Sequence, residues 1–187
     1  MQRRDNSKGR RNVTSQADSG WTCSSCGSAH PGNSMSFGSP APVPWMLASD
    51  DERAQGEINA DSCVLHDADG THYFVRGLIE IPLIDADESF SWGVWVSLSE
   101  TNMNVQARQW ESPERVDLDP MFGWLCTKLP CYETTTLSLP TNLRTRGPGL
   151  APLIQVDPTS KHPLAYEQVH GISIHRVAEI NAELLAG

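Results

Sequence analysis

The chain contains no apolar run near the ~20 residues that a membrane-spanning helix requires. Its basic first segment is followed by no apolar stretch of the kind a secretory signal carries, so the cytoplasm is the expected compartment. Several signatures of common chemistries are also missing. No Gly-x-x-x-x-Gly-Lys cradles a phosphate, and no Gly-x-Gly-x-x-Gly opens a helix. Without Gly-x-Ser-x-Gly there is no serine-hydrolase elbow, and without His-Glu-x-x-His no zincin protease. Internal repeats are absent. Cysteine is sparse: five residues, an odd number at uneven spacing, which is not a disulfide framework.

What is present is 187 residues with a formal net charge of -9. That length suits one domain, which can bury roughly 70% of its unfolded surface without a staple. The charge is uneven. Residues 1–20 carry Arg3, Arg4, Lys8, Arg10 and Arg11 against Asp5 and Asp18, while the remainder is strongly acidic. With Met1 and Val13 as its only large apolar residues, the arm is expected to be disordered. The acidic body repels phosphate, which argues against nucleic acid as a partner except through the arm.

Residues 21–60 are rich in Gly, Ser and Pro, which rules out long helices and central strands there. The segment is expected to wrap over the body with Trp21, Phe37 and Trp45 as apolar pins, and "DDERAQGEINA" reads as a polar connection. Residues 61–187 form the body, and 21–187 together one domain. "SCVLHD", "THYFVRGLIEIPLI" and "FSWGVWVSLS" read as strands. In the last, Trp92, Val94, Val96 and Leu98 share one face, with Trp95, Ser97 and Ser99 on the other. Ser97 and Glu100 have capping-box spacing, predicting a helix from there to Pro113. Further on, a short turn or strand at "DPMFGWL", a threonine-rich strand at Thr134–Leu139 and a strand at "PLIQVDP" are expected. "KHPLAYEQVHG" reads as a helix begun by Pro163 and ended by Gly171, and "SIHRVAEINAELLAG" as a final helix capped by Ser173. The fold expected is α+β: a mostly antiparallel sheet with two or three helices and an N-terminal knuckle-like segment.

The one stretch suggesting definite chemistry is "WTCSSCGSAH". A Cys-x-x-Cys pair on a tight turn can aim two thiolates at Zn²⁺, and the following Gly27 lets that turn close. A second such pair is missing, so the ligand set expected is Cys23, Cys26, His30 and Cys63. Cys63 is preferred to His66, which an odd spacing puts on the other face of the strand; His162 is a reserve. The competing reading is a reduced, unliganded pair. A thioredoxin-like role lacks the helix it needs, since His-Pro-Gly-Asn follows. Cys126 and Cys131 in "CTKLPC" read as two small buried side chains.

In "CSSCG…H", "DSCVLHDADGTHYFVRGLIEIPL", "WGVWVSLSETN", "FGWLCTKLPCYETTTLSL" and "HPLAYEQVHGIS", from about Trp21 onward, the chain resembles a family of uncharacterised bacterial proteins, domain of unknown function family 2199. The resemblance brings no activity, cofactor or site residue with it.

Two further residues are candidates for a binding surface. Trp95 shares its strand face with serines, as an aromatic platform would, but the preferred reading is that a helix or the Pro-rich wrap covers it. His162 stands at a helix start, either as a cap or as an acid/base partner of Glu167. Asp67, Asp69 and Gly70 form a surface turn rather than a calcium loop. The functional reading is a binding or adaptor module with a structural zinc and a protein partner. The alternatives are a zinc-dependent hydrolase using three of the four ligands plus water, and an acidic inhibitor of immunity type.

Overall fold

The computed structural model describes the backbone of residues 21–22 and 29–30 and the whole of residues 32–185. The chain divides into two compact units, residues 1–33 and 34–187. In the first, β1 (Trp21–Thr22) and β2 (Ala29–His30) pair antiparallel, with Trp21 opposite His30. The basic arm, Cys23 and Cys26 lie outside the described residues.

The second unit is built on three long or central strands whose alternation is plain in sequence. β5 (Ser62–Asp67) and β6 (Gly70–Pro82) form a hairpin, and β6 pairs along its length with β7 (Ser89–Leu98). Gly70 takes φ +132° at the hairpin turn, a conformation open to glycine alone. β3 (Ser36–Gly38) adds to β7 in parallel, and β4 (Glu57–Ile58) adds to β5. β8 (Met121–Trp124), β9 (Pro140–Arg144) and β10 (Leu153–Val156) continue the sheet, so that its path runs β3-β7-β6-β10-β9-β8.

The sheet of eight strands is mixed, not mostly antiparallel as the sequence suggested. One parallel pair is β3–β7, and the other follows from closure. Just past β8, Leu125 bridges antiparallel to Val96, and the Cys126 N–H donates to the Trp95 carbonyl at 2.8 Å. Strands β6 to β10 thereby form a ring. Each runs opposite to the next, and five is odd, so the first and last point the same way. The pair β6–β10 that closes the ring is parallel, with Leu153 in register with Leu78.

Inside the ring lies the main core: Val75, Ile79 and Ile81 of β6, and Phe90, Trp92, Val94 and Val96 of β7. A smaller apolar cluster of Cys63, Leu65, Phe74 and Trp95 covers the opposite face. The Pro-rich segment seals that cluster. It holds two short helices, α1 (Val43–Leu47), begun by prolines, and α2 (Asp50–Gln55), begun by a Ser49–Glu52 capping box. Trp45 and Ile58 press on the cluster, and Phe37 packs on the main core.

Three further helices complete the unit. α3 (Glu100–Arg108) starts two residues later than predicted, because Ser99, not Ser97, caps it by accepting from the Asn102 N–H. Ser97 stays in β7, where its hydroxyl accepts from the Trp124 N–H. The helix stops at Arg108, and a 3-10 turn covers Pro113–Asp117. α4 (Pro163–His170) and α5 (Ile174–Leu185) fall where Pro163, Gly171 and Ser173 placed them. The threonine-rich strand is absent: Thr134–Leu139 is irregular, and Pro140–Arg144 forms the strand instead. Last, Asn181 of α5 accepts from the Ser34 N–H at 2.8 Å and donates to the Ser34 carbonyl at 3.0 Å. The start of the unit is thus tied to its final helix.

Candidate functional site

The residues singled out from sequence do not meet in one place among those described. Cys63 is fully buried between Leu65, Phe74 and Trp95, and burial pushes its thiol up to about 12. His66 is exposed on the other face of β5, as the odd spacing required, and bonds the Thr71 hydroxyl. The backbone of His30 is placed in β2, across from Trp21. No cluster of three His, Cys, Asp or Glu suited to a metal occurs among the described residues.

Trp95 is not on a surface. It is 1% exposed, and its indole N–H donates to the Ser39 carbonyl at 3.1 Å. The wrap covers the strand face that seemed polar, and Ser97 beside it is occupied by β8. The platform reading of Trp95 is therefore wrong.

The exposed aromatics sit elsewhere, on β8. Phe122 and Trp124 are 50% and 47% exposed, with ring centroids 5.0 Å apart in an edge-to-face contact. They point outward because the inward positions are taken. Gly123 lies so close to β7 that a Cβ there would overlap the Ser97 carbonyl oxygen, while Met121 and Leu125 enter the core. Aromatic-Gly-aromatic was the signal: a glycine at the inward position marks close backbone approach and leaves its neighbours on the outside.

A second locus surrounds the start of α4. His162 caps the helix, its Nδ1 accepting from the Leu164 N–H at 3.1 Å. The other ring nitrogen therefore carries the proton and donates to the Thr134 carbonyl at 3.1 Å. Both nitrogens are occupied, and the ring lies 5.4 Å from that of Tyr132. Glu167 is engaged elsewhere: it accepts a hydrogen bond from the Tyr132 hydroxyl and an ion-paired one from Arg176 Nε at 3.2 Å. Arg176 also donates to the Cys131 carbonyl at 3.1 Å. Burial, and next the Glu167 charge, push the Tyr132 hydroxyl far up, so it stays a donor. This network stiffens the wall of an open groove of about 610 Å³, with Lys161 and Thr134 at its solvent side. Tyr132 and Arg176 were not singled out from sequence. They come from separate segments, 44 residues apart by their numbers, and no local pattern joins them.

A family model described as an uncharacterized protein conserved in bacteria (DUF2199) matches residues 22–172. The chain belongs to that family. No curated protein and no solved structure matches it. The DUF2199 match takes in the Cys-x-x-Cys stretch, the whole ring, the Phe122–Trp124 pair and α4. Arg176, on α5, lies beyond it. Among the described residues no helix is long and apolar enough to cross a membrane.

Proposed function

We propose that this DUF2199 protein is a binding module that docks a partner protein through Phe122 and Trp124. The observation carrying the reading is a half-exposed, mutually packed aromatic pair on a strand of the closed ring. Such side chains contribute large contact area at little entropic cost, and Trp and Tyr-like anchors dominate protein interfaces. The chain's -9 charge favours a partner whose apolar pocket is rimmed by basic groups, as an acidic inhibitor would require. Photo-crosslinking tests this. A benzophenone side chain replacing Phe122 in the full chain should capture one protein in cells, and Trp124→Ala should abolish capture. The same probe at exposed Leu150 should capture nothing. Equal capture at both positions, or none at Phe122, would overturn the reading.

The module would carry a structural zinc held by Cys23, Cys26, His30 and a fourth protein ligand. The donor chemistry supports this, as does the β1–β2 pairing, which sets the backbone of His30 opposite Trp21, two residues before Cys23. Metal analysis of the purified chain should find one zinc per molecule, lost in Cys23→Ser; no stoichiometric zinc would end the idea. A second reading, a zinc-dependent hydrolase, draws on Cys63 being sealed in apolar packing. Cys23, Cys26 and His30 would then leave the fourth position to water. Cobalt substitution separates the two, since four protein ligands exclude that water.

A further inference from the structure

A cavity of about 460 Å³ opens between α3 and the turn that joins β4 to β5. Val75, Met103 and Trp110 give it apolar walls, while Asn59, Asp61 and Gln106 supply polar ones. The turn is held by its own bonds: the Asn59 side-chain oxygen accepts from the N–H groups of Asp61 and Ser62 at 2.9 and 2.8 Å. It is therefore a formed rim, with the Asp61 carboxylate at the mouth.

Behind the wall lies an unusual pair of buried polar groups. Arg115 is 1% exposed, and the Glu111 and Asp61 carboxylates act on it only through their charge, without a direct ion pair among the described residues. Its guanidinium donates to the Trp110 carbonyl at 3.0 Å and stacks 4.8 Å from the Trp110 ring. Its contact with the Gln106 side-chain oxygen is long, at 3.4 Å, and its Nε is buried with no acceptor among the described residues. Gln106, 2% exposed, turns one of its two amide N–H groups to the Met121 sulfur at 3.7 Å, a weak acceptor. Cavity-lining Gln106 and Trp110 thus stand directly against a buried cation whose bonding is incomplete. Buried polar groups in native proteins are normally satisfied, and a buried charge normally has a countercharge.

We propose that this cavity binds a small aromatic carboxylate bearing a hydrogen-bond donor at its far end. The carboxylate would lie inward, accepting from the Gln106 amide in the field of Arg115. The ring would rest between Met103, Val75 and Trp110. The amino or hydroxyl group would meet the Asp61 carboxylate at the mouth. This site is independent of the aromatic pair on β8, and neither proposal depends on the other.

The probe is 4-aminobenzoate, with neutral 4-aminobenzamide as its partner, followed by saturation-transfer NMR and calorimetry on the full chain. The acid should bind at least tenfold more tightly than the amide. Ala107→Trp places an indole at an exposed cavity-lining position and should abolish binding without unfolding the chain. Gln106→Leu should weaken binding about tenfold, the loss of one hydrogen bond to a charged group. In Arg115→Met the preference for acid over amide should vanish, a ratio that a purely structural role would not change. If Arg115→Met fails to fold, the other two variants still decide. Absence of saturation transfer to the acid, equal affinity for acid and amide, or undiminished binding in folded Ala107→Trp would overturn the proposal.

Discussion

Asp67 illustrates how much one side chain can organise at a turn. Its carboxylate accepts from His72 Nε2 at 2.9 Å and from the N–H groups of Asp69 and Gly70. The His72 bond first, and then the turn amides, hold its pKa below the usual carboxylate value against the opposing effect of burial. A carboxylate depressed in the folded state stabilises above its unfolded pKa, and that contribution is lost as pH falls through the folded one. Asp67→Asn should therefore melt lower than the natural chain at neutral pH, with the gap closing in strong acid; a gap unchanged across that range would show the charge is irrelevant. This turn was legible, since Asp-Ala-Asp-Gly has the chemistry of a turn whatever surrounds it. Trp95 was not. Serines at alternate positions imply a wet face only if nothing covers it, and the covering segment comes from more than 40 residues earlier, through Ser39 and Trp45.

Among elements, β7 and α5 could be read directly, because both repeat one face with the right period and are buried by that face. β9 could not. "PTNLR" has poor strand propensity and is held by β8 and β10 on either side, whereas the threonines before it, good strand formers by themselves, lie in irregular backbone. There Thr136 donates its hydroxyl to the Thr127 carbonyl and accepts from the Leu129 N–H, offering the chain an alternative to a ladder. Two substitutions probe the joints between elements. Gly123→Ala forces β8 away from β7 and should cost about 1–3 kcal/mol in denaturant unfolding, the range for overpacking; a neutral result would mean the approach relaxes freely. Glu167 couples α4 to α5 and to Tyr132. Glu167→Gln and Arg176→Ala should each destabilise by about 1–3 kcal/mol, and the double variant by less than their sum. Full additivity would show that the pair does not act as a unit.

For the whole molecule, the decisive property was invisible to periodicity. Which strands become neighbours depends on contacts far apart in sequence, and the parallel seam follows only from counting strands around a closed ring. Closure has a measurable result. The amides that seal it, Leu78 N–H to the Pro152 carbonyl at 2.9 Å and Cys126 N–H to the Trp95 carbonyl at 2.8 Å, have no free edge from which to fray. Native-state hydrogen exchange should release both only at the free energy of global unfolding; earlier release of either would show that the ring opens before the rest melts. The amide of Asn181 adds a different constraint. By gripping both polar groups of Ser34 across 147 positions, it brings the beginning of the second unit beside its end. A gene rewired to splice these two points with a short linker, and reopened at the exposed Pro148–Leu150 turn, would encode every strand and helix of that unit in a new order. Its product should still assemble the same shape, since the clasp already does what the splice would make covalent.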